Sequence, residues 1–594
     1  MTSASALALI VADPDAGRLG HARSLTDRLA GRSVLEHTLT RARQIQRLAG
    51  LVLLHPPGRN PLDDLPDHER QRLLQPPGPG RPPRLHTLAH EHVAGDAHTP
   101  RRRSARKWAL SAWRGGLGGA TAWDELLPAA PLAAALQQHR ADAAVLLGAD
   151  WCLFDPRYAD ALLDLHLGAP QAMKLTFTQA PPGLGPLVLG RGVVQDLADH
   201  HASVGGILAY SPRRPVIDSI GREINHPIPA VVRDTARRFV YDTPAGQTLL
   251  HALADRLGDR LPDADALTVV QACRSLERAD PHRVFRTLPP QIVLELSPRR
   301  LASGPILPQH HVDLPRGDMD PALARDLIQQ CAGHALTLGG LGDATLHPDW
   351  SDLARSALDA GVAGLHVETD LLAPRHALAP LVESRGASAI DVVSVRLHAD
   401  SAETYRRVVG LDRYAQVMDT LQWLFDQRSQ RDGDPAGLPW VLPRFTKTRD
   451  NLADLESFFE RWMRLVHHAV IDRFPTGGTG SHALAPDLNP VPMDPPWKPP
   501  SPHQTKRRLT VLSDGTVTLC SQDWLGRAPL GNAARTPLRE LWQRAATLPP
   551  PGEIDDAPIC RRCRDWWTLH ADTDTAPPAP PTPASAAPPA AASA

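Results

Sequence analysis

Cysteine is scarce, six in 594 residues, which excludes a disulfide-built secreted scaffold. Charge of one sign is missing as well. Sixty-four Lys+Arg stand against 65 Asp+Glu, a formal net charge of −1, so a general polyanion binder is excluded as a class. No apolar run approaches the roughly 18 residues that cross a bilayer. The first run, Ala6 to Ala12, ends at Asp13 and has no basic segment before it. That is strand length, with the wrong flanks for a signal peptide. These absences predict a cytoplasmic protein with no membrane and no nucleic-acid partner. In that reducing compartment, clustered thiols suggest metal before disulfide.

Proline is what the chain has in excess. Sixty prolines are about twice the ordinary share, and without a glycine period they imply long loops and linkers. The 42% hydrophobic and 22% charged fractions are those of a folded protein, with room for three or four domains at roughly 150 residues each.

The pattern predicts an α/β chain. ALALIVA and LVLLHPP read as buried strands, with a helix through SVLEHTLTRARQIQRLAG between them. The Pro/Gly/Arg stretch from Pro56 to Lys107, which includes PRRRSARK, reads as a solvated insertion. Strand AAVLLGAD and helix RYADALLDLHL follow, giving an open sheet over 1–244. Residues 245–288 read as a helical connector. A second strand–helix alternation over 289–484 runs from QIVLELS through HALTLGG, LHVET and DVVSVRLHA, and predicts a barrel or partial barrel. Residues 485–570 form a proline strap and then a small cysteine-bearing unit. The Ala/Pro-rich 571–594 reads as a disordered tail.

Three cysteines stand near the C-terminus: Cys520, at the end of the predicted hairpin RLTVLSDGTVTLC, and the pair Cys560 and Cys563. A Cys-x2-Cys spacing turns two thiolates toward one metal, as in zinc and iron–sulfur sites. His570 and Asp565 are candidate fourth ligands, and an unmetallated pair is the alternative. Cys152, Cys273 and Cys331 read as buried small hydrophobes.

The stretch from Leu509 to Trp567 resembles the SPASM-type extension of radical SAM proteins. The matching residues are Asp514, Gly515, Cys520, Asp523, Leu530, Gly531, Asn532, Leu538, Trp542, Cys560 and Cys563. The resemblance implies an iron–sulfur cluster on Cys520, Cys560 and Cys563, with zinc as the alternative. An upstream cysteine that the family carries near Ser501 is absent. LTLGGLGDATLHPDW is similar to the glycine-rich segment whose backbone binds the amino group of S-adenosylmethionine in that family. This would make Gly339, Gly340, Gly342 and Asp343 the cofactor-binding residues. The segment QIVLELSPRRLASGPILP aligns with the family's cluster loop, and Arg300, Gly304 and Leu307 stand where its three cysteines belong. Without those thiolates the resemblance implies a radical SAM core that has lost standard radical chemistry. Arg299, Arg300 and His310 would crowd the former cluster pocket.

DAGRLG with LAGRSVLEHTL, and GADWCLFDP further on, resemble the nucleotide loop and metal segment of cytidylyltransferase-like nucleotidyltransferases. This implies magnesium at Asp150, with Arg18, Arg23 or Arg28 as the cation for the leaving group. The order of the three parts resembles a fused family associated with spirochaetes and similar bacteria. The reading that results is an iron–sulfur SPASM protein with a degenerate radical SAM core. It would bind a small-molecule or peptide ligand, or serve as an accessory in peptide or sugar-nucleotide modification. The alternative is magnesium-dependent nucleotidyl transfer to a sugar or sugar acid.

Overall fold

The structure is a computed structural model. It describes residues 5–75, 83–95, 98–109, 113, 117, 120–170, 173–200, 203–208, 224–233, 235, 237–280, 287–385, 388–432, 439–466, 468–474, 488 and 507–547. Cys560, Cys563, Asp565, His570 and the Ala/Pro-rich end lie outside these residues.

The first sheet has six strands: β1 (Ala6–Val11), β2 (Leu48–His55), β3 (Leu85–Ala89), β4 (Ala143–Gly148), β5 (Leu175–Phe177) and β6 (Leu187–Gly190). Their order is β3-β2-β1-β4-β6-β5. The first four run parallel, and β6 is antiparallel to both of its neighbours. Every residue of β1 and β4 is buried, as continuous apolar runs in a parallel sheet require. Helix α1 (Val34–Ala42) begins at Ser33, whose hydroxyl accepts the Glu36 N–H at 3.2 Å. It stops eight residues short of the predicted end. Leu48 pairs with Ala6 and Gly50 with Leu7, so the chain past Ala42 is drawn into the sheet.

The basic stretch is a correction. Residues Thr99–Lys107 form helix α2, and Arg101, Arg102 and Arg106 in it are buried. Arg106 pairs with Glu125 at 2.7 Å. Lys107 Nζ and Ser104 Oγ both reach Asp391 Oδ1, at 2.7 and 2.8 Å. The cations of this helix are therefore internal: acids of the same chain neutralise Arg106 and Lys107, and long stems of this kind cover apolar surface. Trp108 follows the helix and enters the base of the second sheet, where its indole donates to Thr337 Oγ1 at 3.0 Å. Helices α3 (Pro244–Leu257) and α4 (Ala266–Ala279) bury Leu250, Leu253, Val269 and Val270 in the core of the first sheet.

The second sheet has nine strands. They are β7 (Gln291–Leu294), β8 (Ala335–Leu338), β9 (Gly364–Thr369), β10 (Val392–Arg396), β11 (Trp440–Lys447), β12 (Val470–Arg473), β13 (Arg508–Val511), β14 (Thr516–Thr518) and β15 (Pro529–Asn532). Their order is β12-β11-β10-β9-β8-β7-β13-β14-β15. Seven strands are parallel, and β14 and β15 add an antiparallel extension. This is the predicted partial barrel, with the C-terminal hairpin continuing its sheet. Ala105, Trp108, Ala335, Val392, Trp440 and Leu442 pack together at the base. Gly364 has to be glycine there, since a Cβ would stand 2.7 Å from the Lys107 side chain and 2.9 Å from the Trp108 ring. Among the described residues no helix is long and apolar enough to cross a membrane.

Candidate functional site

The carboxyl ends of the parallel strands, opposite the plugged base, carry a partly buried ionic network. Glu368 near the end of β9 sits between two guanidiniums. Arg396 Nη2 donates to its Oε2 at 3.0 Å, and Arg444 Nη1 donates to Oε1. Arg444 Nε continues to Asp472 at 2.8 Å. Burial alone would raise the Glu368 carboxyl, but Arg396 and Arg444 overturn this and hold it below the usual carboxylate range.

The predicted cofactor residues lie together at the end of β8. Gly340 adopts φ +103° and gives its N–H to Glu368 Oε2 at 3.0 Å. A Cβ on Gly342 would fall 1.9 Å from the Ser297 carbonyl, and one on Gly339 would meet Glu368 at 2.7 Å. The carbonyls of Gly340 and Gly342 are not free. Arg396 donates to Gly340 O at 2.6 Å and to Gly342 O at 2.9 Å. Asp343 accepts from Thr345 N, Thr345 Oγ1, Thr369 Oγ1 and Asp370 N at 2.7–3.0 Å. It staples the loops after β8 and β9, and burial, followed by the nearby Asp370, raises its carboxyl.

The three positions aligned with cluster cysteines are each committed elsewhere. Arg300 makes a bidentate ion pair with Asp370, with side chains 5% and 2% exposed. Gly304 lies against the 408–410 backbone, donating to Val409 O at 2.8 Å, and a Cβ there would sit 2.2 Å from Val408 O. Leu307 is fully buried in the apolar core. Of the other two cations expected in this pocket, Arg299 pairs with Asp318. His310 is exposed and its Nδ1 lies 3.1 Å from Ser303 O.

At the C-terminal hairpin, the motif residues other than cysteine are structural. Gly515 makes the turn at φ +82°. Asn532 Nδ2 bonds Asp514 O at 2.9 Å, and buried Asp523 accepts the N–H groups of Arg527 and Ala528. Trp542 is buried beside Leu538 and Leu541. Cys520 is half-buried, and its Sγ accepts the Gln522 N–H at 3.4 Å. Arg508 stands near enough for the two groups to interact electrostatically, and a neighbouring guanidinium favours the thiolate that a metal needs. The donor chemistry of Cys520 therefore fits a cluster ligand. Cys152, Cys273 and Cys331 are buried, as expected, and burial pushes the Cys152 thiol up to about 12. Among the described residues no group of three His, Cys, Asp or Glu converges on a point.

In the first unit Asp150 follows β4. It is 2% exposed, and Arg23 Nε lies 3.4 Å from its carboxylate. Arg18 donates to Val93 O at 3.1 Å, and its Nη2 has no partner among the described residues. Burial first, and then Arg103, lower its guanidinium to about 10. Arg28 pairs with Glu69 instead. The DAGRLG turn is closed on itself: Gly17 N bonds His21 O, and Gly20 N bonds Gly17 O.

Sequence reasoning missed Asp242, which the fold brings near Asp150. It pairs with Arg238, yet burial, with Asp150 and Glu125 among the raising neighbours, pushes it up to about 6. The signal was available in the buried triplet Phe239–Tyr241 ending at an acid before a Thr-Pro helix start. Glu368, Arg396 and Arg444 were missed too, although each is a charge in a strand of the parallel sheet.

Residues 503–564 match the SPASM family, described as an iron-sulfur cluster-binding domain. A Treponema pallidum (strain Nichols) protein named "Uncharacterized protein" is 24% identical over 257 residues, 42% of this chain and 69% of its own. Streptococcus suis SuiB bound to precursor peptide SuiA is similar at a TM-score of 0.34 and 10% identity, covering 47% of this chain and 70% of SuiB. A cytidylyltransferase from Leptospira borgpetersenii serovar Hardjo-bovis (strain JB197) is similar at 0.30 and 13% identity, covering 48% of this chain and 97% of that one. The chain is thus an α/β protein with a parallel partial barrel whose sheet is extended at the C-terminus. More particularly, residues 503–564, which include that extension, match the SPASM family.

Proposed function

We propose that this is an iron–sulfur-binding SPASM protein whose barrel no longer cleaves S-adenosylmethionine. It acts as a binding or accessory subunit in peptide or sugar-nucleotide modification. The observation that carries this is the Arg396 guanidinium on the carbonyls of Gly340 and Gly342. In the family these residues resemble, that segment receives the amino group of S-adenosylmethionine. Here a cation of the chain itself holds the place. The Arg300–Asp370 pair supports the same reading, because it puts a guanidinium where the first thiolate would stand.

The test is reduction of the anaerobically purified protein with dithionite in the presence of S-adenosylmethionine. No 5′-deoxyadenosine should form. Turnover to 5′-deoxyadenosine would overturn the reading.

A second reading, magnesium-dependent nucleotidyl transfer, is favoured by one observation. Tyr241 N bonds Asp150 O at 3.1 Å, which brings Asp242 close enough for Asp150 to raise its carboxyl, and neighbouring carboxylates suit a divalent cation. Asp150 and Asp242 would hold the ion, which would supply charge neutralisation at phosphate. Magnesium-dependent pyrophosphate release from CTP, abolished by Asp150→Ala, is its test.

A further inference from the structure

The loop that replaces the cluster-binding segment borders a cavity of about 420 Å³ at the open end of the barrel. That lies within the range of about 300–1,000 Å³ typical of small-molecule sites. Its polar lining is Arg299, Arg300, Arg316, Gln309 and Asp313.

Their hydrogen bonds show what is left for a ligand. Arg316 is fully engaged, with Nε and Nη2 on Glu295 and Nη1 on Trp524 O. Arg299 uses Nε and Nη2 on Asp318, and Arg300 uses the same two atoms on Asp370. The Nη1 of each has no partner among the described residues. Gln309 Nε2 donates to Pro298 O at 3.3 Å and Leu341 O at 2.8 Å, which fixes the amide orientation. Its Oε1 is buried and has no partner among the described residues. Asp313 stands exposed at the rim with no ion pair among the described residues.

Charge decides between ligand classes. The three guanidiniums are already matched by Glu295, Asp318 and Asp370, and Asp313 leaves an excess of one negative charge. A simple anion is therefore not favoured, and a simple cation would leave the two Nη1 groups without acceptors. A ligand carrying both signs answers all four unused groups.

We propose that this cavity binds a free α-amino acid with an apolar side chain. Its carboxylate meets the Nη1 groups of Arg299 and Arg300, and its ammonium meets Gln309 Oε1 and Asp313. The side chain lies against Leu301, Val312 and Leu346, which also line the cavity. This rests on the reading above in one respect, that no cluster is seated by this loop.

The experiment is thermal unfolding of the full-length protein with L-leucine, L-leucinamide and N-acetyl-L-leucine, with iron counted in the same sample. Leucine should raise the midpoint by selective binding to the folded state, while the two blocked analogues should bind at least about tenfold more weakly. Asp313→Asn, at an exposed position, should weaken leucine about tenfold and leave N-acetyl-leucine unchanged. Gln309→Leu should do the same. No response to leucine, or equal responses to all three probes, overturns the proposal. If those results come with a single C-terminal cluster, the accessory reading is untouched. A second cluster in the barrel loop would overturn both.

Discussion

Arg300 Nε lies 2.8 Å from Asp370 Oδ2, and both side chains are all but fully buried. A pair so placed contributes little net stability while both partners are present, but removing one leaves an uncompensated buried charge. Arg300→Met should therefore cost about 3–5 kcal/mol, read as a lower urea midpoint. The double change Arg300→Met with Asp370→Leu should recover most of it.

The same pair sets a pH dependence. Burial raises the Asp370 carboxyl, and Arg300 more than reverses this, so its folded value lies below the ordinary one. Stability from the pair is then fully present above the unfolded carboxyl value, about 3.9, and is lost as the pH falls through the folded value. The double variant should show a flatter acid limb than the wild type in pH-dependent unfolding. Equal slopes would contradict this assignment.

Putting the thiolates back should fail. Changing Arg300, Gly304 and Leu307 to Cys places a Cβ 2.2 Å from Val408 O at position 304, and the backbone there is pinned by the Gly304 N–H. The triple variant should gain no iron over wild type, or lose soluble yield. A second cluster in it would mean the loop rearranges freely.

The contacts at the base of the barrel should make the two sheets unfold together. Trp108→Ala removes an indole packed among Ala335, Val392 and Trp440, a loss of about 3–5 kcal/mol. Asp391→Ala removes the acceptor shared by Ser104 and Lys107. Calorimetry should show one transition in wild type and two in the combined variant. One transition in both would mean that the α2 contacts do not couple the sheets.

Much of this was legible in the sequence. Strands such as ALALIV and AAVLLG are continuous apolar runs, and the hairpin around Asp514–Gly515 has an explicit turn. The failures have a common physical cause. Basic residues in α2 look solvated until acids distant in sequence, Glu125 and Asp391, are brought beside them. Arg396 and Glu368 likewise gain meaning only through parallel pairing of β9 with β10. The SPASM segment around Cys520 was legible because its motif is local. Asp242 was missed because its relation to Asp150 is not.

Thiol reactivity separates the cysteines. In native protein freed of metal by chelation, Cys520 should alkylate readily, as a half-buried thiol beside Arg508. Cys152, Cys273 and Cys331 are buried and should react only after unfolding. Peptide mass spectrometry of iodoacetamide-treated protein reads this directly.

The most direct test is iron and acid-labile sulfide content after anaerobic purification, on wild type and on Cys520→Ala. The account predicts iron and sulfide for a single cluster, lost in Cys520→Ala. A cluster that survives this change would show that Cys520 is not a ligand and contradict the account.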